Sequence, residues 1–444
     1  MVKYFLQYFH QEVKMADYTK INVANGIDII CVPAKQFKTN ELALSLLVPL
    51  TAKTAAENAL VAQLLCESCN QYKTLRALNT HLASLYGAIL SPSVSKLGEN
   101  QLLKFGITCI DDRFALDDKK ILTECLSLLL SLLFEPNFNE NGVFCDSNVE
   151  VQKRLLIQKI ESEENEKRSY VLRKTESIMF EGEPYAVNKY GTKEDVLNAT
   201  PESLASAWRN LLKSSAVLLT VVGSSSQHEL KNILFDKFCT VERDFKKPQQ
   251  AVFKPKADKV REVKEAMEVK QGKLVMGFRV NMKPDDKLAP AMRSFCDVFG
   301  GGPYSKLFAN VREKMSLCYY CSARYVRQKS FIVVQSGCEE ENMDKAVAEI
   351  LNQIEEIKKG NFDYEFSSSK IGITDAINSV YDAPESLEVW YTSQMADDYV
   401  KSPAESAAEN KGVTKEQIME CAKLISLDTV YRLVSDNSQA REDN

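Results

Sequence analysis

The 444-residue chain carries three histidines, His10, His81 and His228. No two fall on adjacent turns of one helix, so no helical pair of imidazoles can hold a metal. Among twelve cysteines, Cys66 with Cys69 and Cys318 with Cys321 have CxxC spacing. The two pairs lie in different halves, far outside the spacing of a zinc ribbon, and thiols so placed serve equally well as small core-filling groups. The run Gly223-Ser224-Ser225-Ser226-Gln227 lacks the closing glycine of a nucleophile elbow, and His228 beyond it has no evident orienting acid. The triplet Gly300-Gly301-Gly302 is not followed by the glycine, lysine and hydroxyl of a phosphate loop, and taken alone it marks a tight turn after a helix.

The residues after the triplet are more distinctive. Pro303-Tyr304-Ser305-Lys306-Leu307-Phe308 runs on to Val311-Arg312-Glu313-Lys314 and then Leu317-Cys318-Tyr319. This stretch resembles the carboxy-terminal domain of the insulinase, pitrilysin and mitochondrial-processing-peptidase family of inverzincin metallopeptidases. There a glycine-rich segment ending S-[RK]-L-F leads into V-R-E-K, with a tyrosine seven residues after the arginine. Glu183-Pro184-Tyr185, Gly191-Thr192-Lys193-Glu194-Asp195 and Thr200-Pro201-Glu202 are similar to the family's first-domain pattern, so the resemblance spans most of the chain. It implies that Arg312 and Tyr319 hydrogen-bond the scissile carbonyl oxygen, where negative charge develops during attack by water. It also places Gly300, Gly301, Gly302 and Ser305 in the substrate-binding segment. The plainer alternative is a surface arginine capping a helix end and a half-buried strand tyrosine.

The family holds zinc with an inverted H-x-x-E-H helix in the first domain and a distant glutamate. That motif is absent here by counting histidines. The resemblance puts Asn58-Ala59-Leu60-Val61-Ala62 in its place, with Asn58 and Ala62 at the two imidazole positions, and Lys159 at the third ligand, where a cation repels zinc. No cofactor is therefore expected in this chain; zinc is expected in a partner. The implied function is the zinc-free subunit of a two-chain peptidase, supplying Arg312, Tyr319 and half of a peptide chamber to a homologous zinc-bearing subunit. The assembly would be a hetero- or homodimer, and an oligopeptide substrate would bind by adding a strand to a sheet edge. The alternative is a non-catalytic scaffold or peptide-binding protein of the same fold; a third, an enzyme with other ligands, lacks any identifiable site.

These residues need a large, duplicated frame to hold them. The length predicts at least two domains, and 45% hydrophobic with 26% charged residues is the balance of a compact protein. The polar, proline-interrupted stretch 243–262 reads as a linker between an N-terminal peptidase-like domain, 1–242, and a C-terminal one, 263–444. On either side the elements follow one order. Strands at 27–32 and 43–48, a helix over 55–66, a strand at 85–94 and a helix over 117–133 are answered by a strand at 273–280, a helix over 288–298, strands at 318–325 and 331–336 and a helix over 342–357. Strands followed by runs of helices predict an α+β fold in two homologous halves, each a mostly antiparallel sheet with helices on one face. A net charge of −5 with scattered bases argues against nucleic acid as a partner. The most apolar run, nine residues from Leu126 to Phe134, is too short to span a membrane. Without a secretion-type leader, and with Met1 or Met15 as the start, a cytoplasmic location with reduced thiols is expected. The polar tail 435–444 carries no apolar period.

Overall fold

The computed structural model describes residues 18–224 and 226–436, so His10, Ser225, both candidate start methionines and residues 437–444 lie outside the described residues. The first half runs β1 Thr19–Ala24, β2 Ile27–Val32, β3 Thr39–Pro49, α1 Ala55–Leu65, α2 Leu75–Ser84, β4 Ile89–Leu97, β5 Asn100–Ile110, α3 Ile121–Phe134, α4 Asp146–Asn165, α5 Lys167–Met179, α6 Lys193–Asn198, α7 Pro201–Ser214, β6 Ala216–Val222 and α8 Gln227–Phe238. The second runs β7 Arg261–Met267, β8 Lys273–Val280, α9 Ala289–Gly300, a wide helical segment Leu307–Lys314, β9 Tyr320–Val326, β10 Phe331–Gly337, α10 Met343–Lys358, α11 Asp363–Asn378, α12 Pro384–Thr392, α13 Pro403–Gly412, α14 Lys415–Lys423 and β11 Ile425–Ser435.

The duplication is visible in the strand order. The first sheet reads β1-β2-β6-β3-β5-β4 and the second β7-β11-β8-β10-β9. In both, the last strand of the half inserts parallel to the first of the shared pattern (β2 with β6, β7 with β11) and antiparallel to the next (β3 with β6, β8 with β11). Removing β1 makes the two sheets superposable in order and direction. β6 escapes a reading by alternation because its sequence, AVLLTVV, is buried at all seven positions, the pattern of a strand covered on both faces. The strand expected at 85–94 begins only at Ile89 and runs to Leu97; ahead of it lies helix α2, started by the Thr74 hydroxyl accepting from the Ala77 amide at 3.1 Å.

Each half's own helices cover one face of its sheet. On the first sheet Ile27, Ile29, Leu42 and Leu44 point into a core with α1, α3 and α7, among which Leu60, Leu126 and Leu204 are buried. The residues between them point the other way, as strand geometry requires, and there the halves exchange helices. Leu387 and Tyr391 of α12 pack on Ile30, Val32, Leu218 and Val222 of the first sheet. Tyr170, Val171 and Met179 of α5 pack on Val275, Val333, Tyr431 and Leu433 of the second. α5 approaches so closely that a Cβ on Gly277 of β8 would stand 2.7 Å from the Met179 sulphur. Residues 241–260 carry no helix or strand, yet they are strapped down. The Arg243 guanidinium donates to the Leu212 carbonyl at 2.7 Å, and the Gln249 backbone exchanges hydrogen bonds with the Asn100 side chain at 2.7 and 2.9 Å.

Candidate peptide-contact site

Arg312 lies in the segment Leu307–Lys314, whose backbone bonds reach further back than in an α-helix. The Met315 amide donates to the Asn310 carbonyl and the Leu317 amide to the Val311 carbonyl, both at 3.1 Å. Wide turns of this kind concentrate at functional sites. Its start explains the preceding motif. A Cβ on Gly300 would lie 2.6 Å from the Ala323 amide nitrogen of β9, so glycine lets α9 end against the strand. Ser305 is fully buried, with its hydroxyl accepting from the Phe308 amide at 3.4 Å. The family resemblance implies that Gly300 and Ser305 contact substrate; both are buried here, at the start of the segment that carries Arg312. Gly301 and Gly302 form the turn between α9 and that segment.

Leu307 and Val311 anchor the segment in the core, while the Arg312 side chain remains 40% exposed. Its guanidinium stacks over the Phe308 ring at 4.6 Å and lies 3.5 Å from Glu313. The chain then turns through Ser316, at a left-handed φ of 51°, and the Tyr319 amide donates to the Gly337 carbonyl at 2.8 Å. This fixes the Tyr319 backbone while leaving the residue 63% exposed, its hydroxyl 3.4 Å from Glu339. Between the two candidates lies Cys318. A hydrogen bond from Cys321 first, then one from Ser336 and the Arg312 charge, bring its thiol down to about 7 against the opposing effect of burial. Phe308 stands one helical turn before Arg312 and could be inferred from that spacing; Glu339 and the Cys318 environment depend on strand pairing that no local pattern reveals.

The other half of the predicted chemistry lies elsewhere. Asn58 is buried on α1, donating to the Gln101 side chain at 3.0 Å, and Gln101 donates to the Ala55 and Lys189 carbonyls at 2.9 and 2.6 Å. Val61 and Ala62 are wholly buried in the first core. The buried residues of α4 are Val149, Gln152, Leu156 and Ile160. Lys159 is exposed, its ammonium 5.0 Å from the Tyr190 ring centre. An amide, two apolar side chains and a cation do not fit zinc, and among the described residues no group of three or more His, Cys, Asp or Glu is placed to hold a metal. His81 stacks on Tyr72 and His228 meets Asn232. The principal packing neighbours of α1 are all in the first half and those of Leu307–Lys314 all in the second. The two sets are not brought together within this chain.

The frame is duplicated and α+β, the motif positions of α1 are filled with core residues, and Arg312 and Tyr319 are both exposed in the second half. Residues 198–368 match the family model described as the Peptidase M16 inactive domain. Over 410 residues the chain is 30% identical to the probable inactive metalloprotease YmfF of Bacillus subtilis, covering 92% of this chain and 96% of that one. A conserved protein from Enterococcus faecalis is similar in structure with a TM-score of 0.86 at 25% identity, over 95% of this chain and 100% of the other. A protease from Helicobacter pylori shares the fold with a TM-score of 0.78 at 14% identity, over 95% and 100%. The chain belongs to the M16 peptidase family. Among the described residues, no helix is long and apolar enough to cross a membrane.

Proposed function

We propose that this chain is the zinc-free subunit of a two-chain M16 peptidase, acting in the cytoplasm on oligopeptides and lending Arg312 and Tyr319 to the zinc site of a homologous partner. The observation that carries this reading is the exposure of Arg312 and Tyr319 in a half whose packing keeps them from α1. A donor pair of this kind can act only on something that arrives from outside the chain. Preorganised donors stabilise an oxyanion without reorganising during reaction, and the stacked guanidinium and the backbone-pinned tyrosine meet that need. β4 and β9 end their sheets, so each offers an edge on which an extended peptide can lie.

The test is to purify the chain alone, and together with a zinc-bearing M16 homologue from the same genome, then measure bound zinc and peptide hydrolysis. Hydrolysis confined to the mixture is the expected result. Stoichiometric zinc on the isolated chain would overturn the reading. Inactivity in every combination would favour a scaffold or peptide-binding role.

A further inference from the structure

Cys318 and Cys321 lie on either side of a bend at Tyr319, where the chain enters β9. In a straight strand, residues three apart are separated by about 10 Å, too far for a disulfide, whose Cα atoms must come within about 7 Å. The bend removes that obstacle: both side chains turn into the second core, and their thiols are hydrogen-bonded to each other. Cys321 stands opposite Ser336 of β10, and Cys338, two residues further on the same face, brings a third thiol into the same core. The three differ in their access to water: Cys318 keeps 9% of its surface, Cys321 5% and Cys338 none.

Two other pairs in the chain show what spacing or contact alone would do. Cys66 and Cys69 have the same CxxC spacing and similarly little surface, 9% and none. Burial pushes the Cys66 thiol up, and nothing beside it acts the other way. Cys109 of β5 and Cys125 of α3 are hydrogen-bonded to each other, but both lie deep in the first core, and that bond and then burial push the Cys109 thiol up. Cys318 combines what these lack: a thiol partner, remaining surface, and the positive charge of Arg312 acting on its sulphur. Reactive cysteines are distinguished from core-filling ones by such partly open, electropositive surroundings.

We infer that Cys318 and Cys321 form a dithiol oxidised by hydroperoxides, Cys318 being the sulphur attacked first and Cys321 the one that resolves it. The Cys318 thiolate attacks one oxygen of hydrogen peroxide and the O–O bond breaks. The sulphur gives up two electrons and becomes a sulfenic acid, while the other oxygen leaves as hydroxide and takes up the proton that the thiol had released. The Cys321 sulphur then displaces the sulfenic hydroxyl, which departs with the Cys321 proton as a second water, and the S–S bond forms. One peroxide becomes two waters and two thiols become one disulfide, which a dithiol reductant reverses. The inference goes beyond the proposed subunit role and needs neither partner nor peptide.

The test treats the full, reduced chain with hydrogen peroxide at neutral pH, blocks the remaining thiols with N-ethylmaleimide and reads the tryptic peptides by mass spectrometry. Cleavage after Lys314 and Arg324 releases residues 315–324 with both thiols in one peptide. That peptide is expected to appear unblocked and lighter by two hydrogens, to regain both blocking groups if dithiothreitol precedes the block, and to be oxidised at least about tenfold faster than Cys66. Cys321→Ser is expected to leave Cys318 as a sulfenic acid that dimedone captures. Should that variant fail to fold, dimedone added with the peroxide to the unaltered chain is expected to divert Cys318 from the bridge to the adduct. A peptide that stays reduced, a bridge from Cys318 to Cys338, capture of Cys321 in place of Cys318, or equally fast oxidation of Cys66 would each overturn the assignment.

Discussion

Lys329, in the turn after β9, places its ammonium 2.5 Å from the Glu183 carboxylate of the first half, with Glu99 bonded beside it. All three are buried. On the far side of Glu183 lies Arg279, at 3.4 Å, which in turn holds Asp428 at 2.8 Å. The two halves are thus joined by a buried charge network in addition to their exchanged helices. Replacing one member of such a pair leaves the others buried and uncompensated. Lys329→Met is expected to cost about 3–5 kcal/mol, read as a fall in the urea midpoint, and adding Glu99→Gln to recover part of it. Unchanged midpoints would show that the network contributes nothing.

Arg312 and Tyr319 should matter to turnover and not to folding. Both are exposed and lightly bonded, so Arg312→Ala and Tyr319→Phe are expected to move stability by less than about 0.5 kcal/mol. In the mixture with a zinc-bearing homologue each is expected to lower turnover about 100 to 1000-fold, with the partner's zinc content unaltered. Full turnover in either variant would remove that residue from the chemistry.

Cys318 reports on the same segment by its titration. Because the thiol is held down to about 7, its thiolate fraction rises as pH passes through that value, whereas an ordinary cysteine would need about pH 8.5. Alkylation by iodoacetamide, followed by peptide mass spectrometry, is expected to reach half its maximal rate near pH 7 at Cys318. The Cys338 thiol, pushed up to about 11 mainly by burial, should stay unmodified. Cys321→Ala removes the larger stabilising influence on the thiolate and Arg312→Met the smaller, so both move the midpoint upward, the first further. A midpoint indifferent to Cys321 would refute the hydrogen bond.

Much of this frame was legible in the chain. The strands at 27–32 and 273–280 and the helices opening near 55, 289 and 343 follow from period and punctuation, and the first-domain signatures have a local mechanism. Thr192 with Asp195 and Thr200 with Ser203 are reciprocal helix caps, Pro201 following at the first helical position. What stayed hidden is set by distant parts of the chain. Nothing in LEVWYT of α12 says that Leu387 and Tyr391 will cover the other half's sheet, because an apolar stripe records burial and not the surface it meets. Lys329, Glu99 and Glu183 look like ordinary surface charges until the fold brings them together across up to 230 residues. The absence of a two-histidine helix could be counted; that Val61 and Ala62 fill the core could not.

That last point decides whether the zinc motif could be restored by substitution. Asn58→His with Val61→Glu and Ala62→His rebuilds H-x-x-E-H in letters, but the sites of the glutamate and the second histidine are wholly buried. An imidazole replacing the Ala62 methyl must displace packed neighbours, which costs about 1–3 kcal/mol, and a carboxylate at Val61 is desolvated without a partner. The third position still offers the Lys159 cation on the exposed side of α4. The triple variant is therefore expected to lose stability, seen as a lower thermal midpoint, and to bind no zinc above the parent level by atomic absorption after dialysis. Tight stoichiometric zinc in a folded triple variant would show that α1 can turn its motif face outward, and that the loss of metal rests on side-chain identity alone.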